Sequence, residues 1–215
     1  MKVVLTGATG FVGGEVLAQL LARTDVDRVT CLSRRPLALA SEKLDVVILE
    51  DFARYDGALL ARLASHDAAI WALGAKASDV ERPDVYERIT HGFTLALARG
   101  LAEHATRRFT FCYLSGMGAD PGESAWLPWE RQTRHLKGRT ERDLAELAST
   151  HARFKVRSFR PGGILPKDAS VAVQWLLAQI VIRVDVLARA MVRVAASPDD
   201  VGGVVSNGDA KKLAQ

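Results

Sequence analysis

The chain has 215 residues, 48% of them hydrophobic, and 29 lysines and arginines against 25 aspartates and glutamates give it a formal charge of +4. That length suits one well-buried domain over residues 1–215 and is short for two. No window has the apolar length of a membrane span, and the basic residues are interspersed with acidic ones, with no lysine-rich tail or basic stripe. Membrane and nucleic-acid partners are therefore not expected, and the mild positive balance suits an anionic small ligand.

The first strand, Lys2–Thr6, runs directly into Gly7-Ala8-Thr9-Gly10-Phe11-Val12-Gly13. This G-x-x-G-x-x-G turn opens a Leu- and Ala-rich helical pattern over 14–23. Gly7 permits the tight turn, Gly10 lets backbone amides approach a pyrophosphate, and Gly13 lets the helix pack close to the strand. Thr9, Phe11 and Val12 lie between these glycines, at a helix N-terminus whose unpaired N–H groups and dipole favour an anion. Strand–turn–helix is the context in which this spacing reads as a dinucleotide site. With a strand in this position, a signal peptide is not expected within these residues.

The second strand, Arg28–Ser33, ends in Ser33-Arg34-Arg35-Pro36. Ser33 stands 20 positions after Gly13, where an NAD site places a carboxylate for the ribose hydroxyls. A hydroxyl and two guanidiniums there would grip a 2′-phosphate instead, so the cofactor expected is NADP(H) in preference to NAD(H).

Further strands are predicted over 45–50, 68–73, 109–115 and 155–160, and helices over 53–64, 85–104 and 136–148. Short strands that are apolar on both faces, alternating with helices, imply an α/β fold with a doubly wound parallel sheet and right-handed crossovers. Asp51 and Phe52 close the third strand, where a carboxylate can accept from an adenine and a ring can flank it. Leu73-Gly74 closes the fourth, where glycine lets the backbone pass a ribose. Cys31 and Cys112 fall inside strands and read as reduced core residues of a cytoplasmic protein, with no metal-ligand spacing. The apolar run 171–182, stopped by Arg183 and Asp185, reads as a buried helix.

The motifs in this order resemble the short-chain dehydrogenase/reductase superfamily, in its atypical NAD(P)H-binding, epimerase-like and NmrA-like branch. The residues that carry the resemblance are T-G-A-T-G-F-V-G from Thr6, S-R-R-P from Ser33, L-G at Leu73, Y-L-S-G-M-G-A-D from Tyr113, L-K-G-R-T-E from Leu136 and R-P-G-G-I-L from Arg160. Ser206-Asn207-Gly208-Asp209 resembles the closing strand of that branch. The resemblance implies a Rossmann fold with Pro161 beside the cofactor and a small substrate lid over about 162–200. Trp175, Leu176 and Ile180 would form the lid's apolar face.

It also implies a catalytic set: a Ser or Thr on the substrate carbonyl, a Tyr that transfers the proton, and a Lys four residues later. Ser115 and Lys137 match, but Thr133 stands where the tyrosine belongs. A threonine hydroxyl holds its proton far more tightly than a phenol, so Lys137 cannot make Thr133 an efficient general acid near neutrality. His135 lies off that helix face, and Tyr113 reads as a core aromatic. Two functions stay open: an NADP(H)-dependent oxidoreductase or epimerase-like enzyme acting on a small carbonyl or hydroxyl substrate, and a non-catalytic NADP(H) sensor with a regulatory protein partner. Either is a monomer or a homodimer, the latter docking through an apolar face of 85–104 or 171–196.

Overall fold

β1 (Lys2–Thr6), β2 (Arg28–Ser33), β3 (Leu44–Ile48), β4 (Ala68–Trp71), β5 (Phe109–Leu114) and β6 (Phe154–Arg160) stand where the apolar runs predict strands, with ends shifted by one or two residues. A pair, β7 (Gly163–Leu165) and β8 (Val181–Arg183), and a last strand, β9 (Gly203–Ser206), follow. The helices are α1 (Phe11–Ala22), α2 (Gly57–Ala64), α3 (Pro83–Glu87), α4 (Phe93–His104), α5 (Arg131–Thr150), α6 (Val184–Ala196) and α7 (Asn207–Leu213). A π turn, Arg88–Gly92, joins α3 to α4 without a break. This computed structural model describes residues 1–75, 80, 82–122, 131–170, 177, 179–197 and 202–215.

The seven-stranded sheet has the order β3-β2-β1-β4-β5-β6-β9, and every neighbouring pair is parallel. Strand order reverses between β1 and β4, so their carboxyl ends flank the crevice where such sheets take ligands. Alternation along each strand sorts the core into two layers. Val3, Leu5, Ala68, Ile70 and Cys112 face α1 and α6, whereas Val4, Ala69, Trp71, Phe111 and Tyr113 face α2, α4 and α5. The second layer holds the aromatics: Trp71 stacks on Phe111 at 6.3 Å, and Phe109 on Phe154 at 6.1 Å.

Three elements depart from the sequence reading. α2 begins at Gly57 and not near residue 53, because the Asp56 carboxylate accepts from the Leu59 amide and caps it there. The run 171–182 is not a buried helix throughout: 181–182 belong to β8, and Leu177 and Ile180 are exposed. Periodicity alone does not separate a short buried helix from a strand. Residues 171–176, and with them Trp175 and Leu176, lie outside the described residues. The closing strand stops at Ser206, whose hydroxyl accepts from the Asp209 amide while the Asp209 carboxylate accepts from Ser206; this capping box starts α7 at Asn207.

Candidate functional site

The glycine turn stands at the reversal point. Gly7 has φ +73°, and a β-carbon on it would meet the Ala72 carbonyl oxygen at 2.5 Å, so the turn is both left-handed and pressed against the loop after β4. Gly13 is tighter: its β-carbon would fall 2.0 Å from the Gly7 carbonyl oxygen. Gly10 is less confined: a β-carbon on it would meet that same oxygen alone, at a tight 3.2 Å. The first and third glycines thus satisfy the packing of helix on strand, and the second leaves room above the turn. Gly10 is the N-cap of α1, no side chain caps that end, and no acidic residue sits in the first turn. Its amides therefore point outward unsatisfied by side chains. Val12 is buried in the core, while Thr9 and Phe11 are exposed.

At the end of β2, Ser33 Oγ donates to the Arg35 carbonyl at 2.7 Å and accepts from the Arg35 amide at 3.3 Å. This small turn holds Arg34 and Arg35 out in solvent, with no ion pair among the described residues. After β3, the Asp51 carboxylate accepts from the Ala53 amide and from Arg88, which keep it below the ordinary carboxylate range. The Phe52 ring does not border the crevice as expected. It is 3% exposed and packs on Trp71 and Phe93, because the second core layer needs an aromatic at that corner. After β4, the Leu73 amide donates to Thr6 Oγ1 at 3.2 Å, and Gly74 is exposed with open space around it.

Across the crevice, Ser115 follows β5 and is 2% exposed, and its Oγ has no hydrogen-bond partner among the described residues. Lys137, from α5, donates from Nζ to the Ser115 carbonyl at 2.8 Å. Gly138 makes that reach possible, since a β-carbon there would lie 2.1 Å from the Asp120 carbonyl. The Asp120 amide donates to the Arg134 carbonyl, and Arg134 Nε donates to the Gly118 carbonyl, so α5 and the loop after β5 are laced together. Thr133, one turn before Lys137, accepts from the Tyr86 phenol at 3.2 Å. His135 accepts from Arg131 Nε instead of facing this group. Tyr113 is wholly inside the core, and burial pushes its phenol above the ordinary range. Pro161 is buried after β6, and its carbonyl accepts from the Met117 amide at 2.7 Å. Two exposed apolar side chains, Met117 after β5 and Ile180 before β8, belong to residues that flank Gly162, and the exposed Phe11 opens α1.

Residues 7–198 match the NAD(P)H-binding family. The chain belongs to that family. It is 30% identical over 149 residues to leucinostatins biosynthesis cluster protein T of Purpureocillium lilacinum, a match covering 68% of this chain and 52% of that one. It is also 30% identical over 150 residues to the mitochondrial protein fmp52 of Aspergillus clavatus, covering 68% and 61%. The chain thus spans about half to three-fifths of these relatives' length. Thermus thermophilus UDP-glucose 4-epimerase in complex with NAD shares its fold with a TM-score of 0.69, at 17% identity, over 100% of this chain and 81% of that one. That likeness is one of fold, a mostly parallel Rossmann-like α/β sheet with flanking helices.

An NAD(P)H-binding protein must cradle a pyrophosphate, and the residues present fit one. The uncapped α1 terminus supplies amides, Gly10 leaves the space that a side chain would fill, and no carboxylate intrudes on the first turn. Tyr86 escaped the sequence reading, which assigned 85–104 only as a helix. The one signal available was a polar series, Tyr86, Thr90 and Thr94, at four-residue spacing on its buried stripe. Glu141 was also missed. It is 4% exposed and forms a double hydrogen bond with Arg160, tying α5 to the end of β6. A separate cavity of about 510 Å³, lined by Ala145, Lys155, Ser158 and Gly203 among others, opens between α5 and β6, and none of the nucleotide loops borders it.

Proposed function

We propose that this protein is an NADP(H)-dependent oxidoreductase or epimerase-like enzyme acting on a small carbonyl or hydroxyl compound, built as one domain over 1–215 with a lid in 162–200. The Ser115 hydroxyl carries this reading. An unpartnered hydroxyl that is 2% exposed costs about 1–3 kcal/mol, a penalty relieved when a ligand oxygen meets it. Ser115 and Thr133 hold the substrate oxygen, and the Lys137 ammonium lends positive charge beside it. Gly7, Thr9, Gly10, Phe11, Val12 and Gly13 hold the pyrophosphate; Asp51 and the backbone at Phe52 border the adenine, and Leu73, Gly74 and Pro161 the ribose and nicotinamide. When bound, the nicotinamide exchanges a hydride with the substrate carbon. Arg34 and Arg35, exposed and unpaired among the described residues, support NADP(H) over NAD(H). The exposed Met117 and Ile180, on residues that flank Gly162, favour an apolar substrate.

The second reading, a cofactor sensor acting through a protein partner, is favoured by Thr133 in place of a tyrosine. NADPH titration followed by a screen of small aldehydes, ketones and quinones separates the two. Turnover supports the enzyme, and tight binding with no turnover supports the sensor. The buried thiols Cys31 and Cys112 suit a reducing compartment, and we place the protein in the cytoplasm. No helix among the described residues is long and apolar enough to cross a membrane.

A further inference from the structure

The helix position one turn before Lys137 lacks a phenol, yet a phenol reaches it from another element. Tyr86, on α3, donates from Oη to Thr133 Oγ1 at 3.2 Å. Tyr86 is 1% exposed, and among the described residues the hydrogen bond its hydroxyl donates goes to Thr133. Two flanking contacts hold α5 against this segment: Arg139 with Glu87 of α3 at 2.9 Å and Asp143 with His91 of the following π turn at 2.7 Å. The π turn that follows Tyr86 inserts an extra residue into the helix, a feature found often at functional sites. Tyr113, the other phenol near Tyr86, is sealed in the core and offers no competing route.

We propose that Tyr86 is the proton source of this site and Thr133 the hydroxyl that passes the proton to the substrate oxygen. The inference rests on the reductase reading above. As the carbonyl carbon accepts hydride from a dihydronicotinamide, the C=O π pair moves to oxygen, which takes the Thr133 proton. Thr133 oxygen takes the Tyr86 proton in the same passage, and once product leaves, a water in the emptied site returns a proton to the phenolate through the Thr133 hydroxyl, leaving hydroxide to the solvent. The two hydroxyls together replace the single tyrosine. A 3.2 Å contact is long for such a bond, and proton-transfer contacts shorten when substrate closes the site.

The test uses the full chain with phenanthrenequinone and para-nitrobenzaldehyde as probes. Tyr86→Phe keeps the ring and deletes the hydroxyl. We expect kcat to fall about 10²-fold, with KM and NADPH affinity, followed by fluorescence, each within about twofold. Adding Thr133→Tyr to that variant should recover about tenfold or more of the loss, because a phenol then stands one turn before Lys137. Independently of activity, the melting-temperature shifts of Tyr86→Phe and Thr133→Val should be non-additive in the double variant, as for groups in contact. Wild-type turnover unchanged by Tyr86→Phe overturns the relay alone. So does a loss that spreads into NADPH affinity and melting temperature without recovery by Thr133→Tyr, since that marks a structural tyrosine. A wild-type protein that binds NADPH but turns over neither probe overturns the reductase reading, and the relay with it.

Discussion

Single residues decide which nucleotide this site prefers and how the turn tolerates change. Arg34 and Arg35 lie free in solvent on a turn that Ser33 closes on itself, so removing them leaves packing intact. Replacing both with alanine should weaken NADPH binding by about 1.5–3 kcal/mol per phosphate contact and leave NADH binding nearly unchanged, as measured by calorimetry. Equal wild-type affinities for NADPH and NADH would refute the assignment. The glycines separate just as sharply. Gly10→Val should keep its fold by circular dichroism and lose cofactor binding, because its β-carbon meets one backbone oxygen, at 3.2 Å, and its methyl groups project above the turn. Gly13→Ala should instead lower stability by at least about 1–3 kcal/mol, since its methyl group collides with the Gly7 carbonyl. The sequence motif treats these glycines as one pattern. Only the distances separate the one that packs from the one that leaves space.

At the scale of elements, α5 carries the chemistry and Gly138 sets its depth. Gly138→Ala must push α5 away from Asp120, which lifts Lys137 off the Ser115 carbonyl. We expect a lower melting temperature together with weaker NADPH binding, although residue 138 itself faces the Asp120 backbone. A second element-scale effect concerns the start of β4. His66, 3% exposed between β2 and α2, faces the Thr30 hydroxyl at 3.0 Å and the Arg62 carbonyl at 3.2 Å. Burial lowers its pKa, so the folded protein holds the neutral ring where the unfolded chain binds a proton. Its stabilising contribution is therefore full above the free imidazole's value of about 6.5 and is lost as pH falls towards the lower folded value. Urea melts at about pH 7.5 and about pH 5.5 should show that loss, and His66→Gln should reduce it. Element types were legible from alternating apolar runs, but ends set by side-chain caps, such as Asp56 and Ser206, were not. Nor was the β7–β8 pair, whose strands join residues far apart in sequence.

For the whole molecule, a ligand that binds only the folded chain raises its stability by mass action. NADPH at about a hundred times its dissociation constant should add about 2.7 kcal/mol, and NADH at the same concentration less; calorimetric melts read both. Along the dimer faces expected over 85–104 and 171–196, two helices turn their apolar residues inward, while Leu177 and Ile180 stay exposed. Leu95, Leu97, Ala98 and Leu101 of α4 are buried within the second core layer, and Leu187, Ala188 and Met191 of α6 within the first.

The sequence by itself determined the parallel α/β architecture, the glycine turn at its first crossover and the arginine pair that follows Ser33 at the end of the second strand. Each of these is written in local spacing and residue type. Tertiary structure decided what lies together across that order. It took Phe52 into the core, because the corner between Trp71 and Phe93 needed a ring. It left the Ser115 hydroxyl buried without a partner among the described residues and brought Lys137 to its carbonyl. It also placed the Tyr86 phenol on Thr133, across 47 residues of chain. Local patterns fix how each segment folds, but a contact between two helices depends on the sheet that spaces them, and no single segment carries that information.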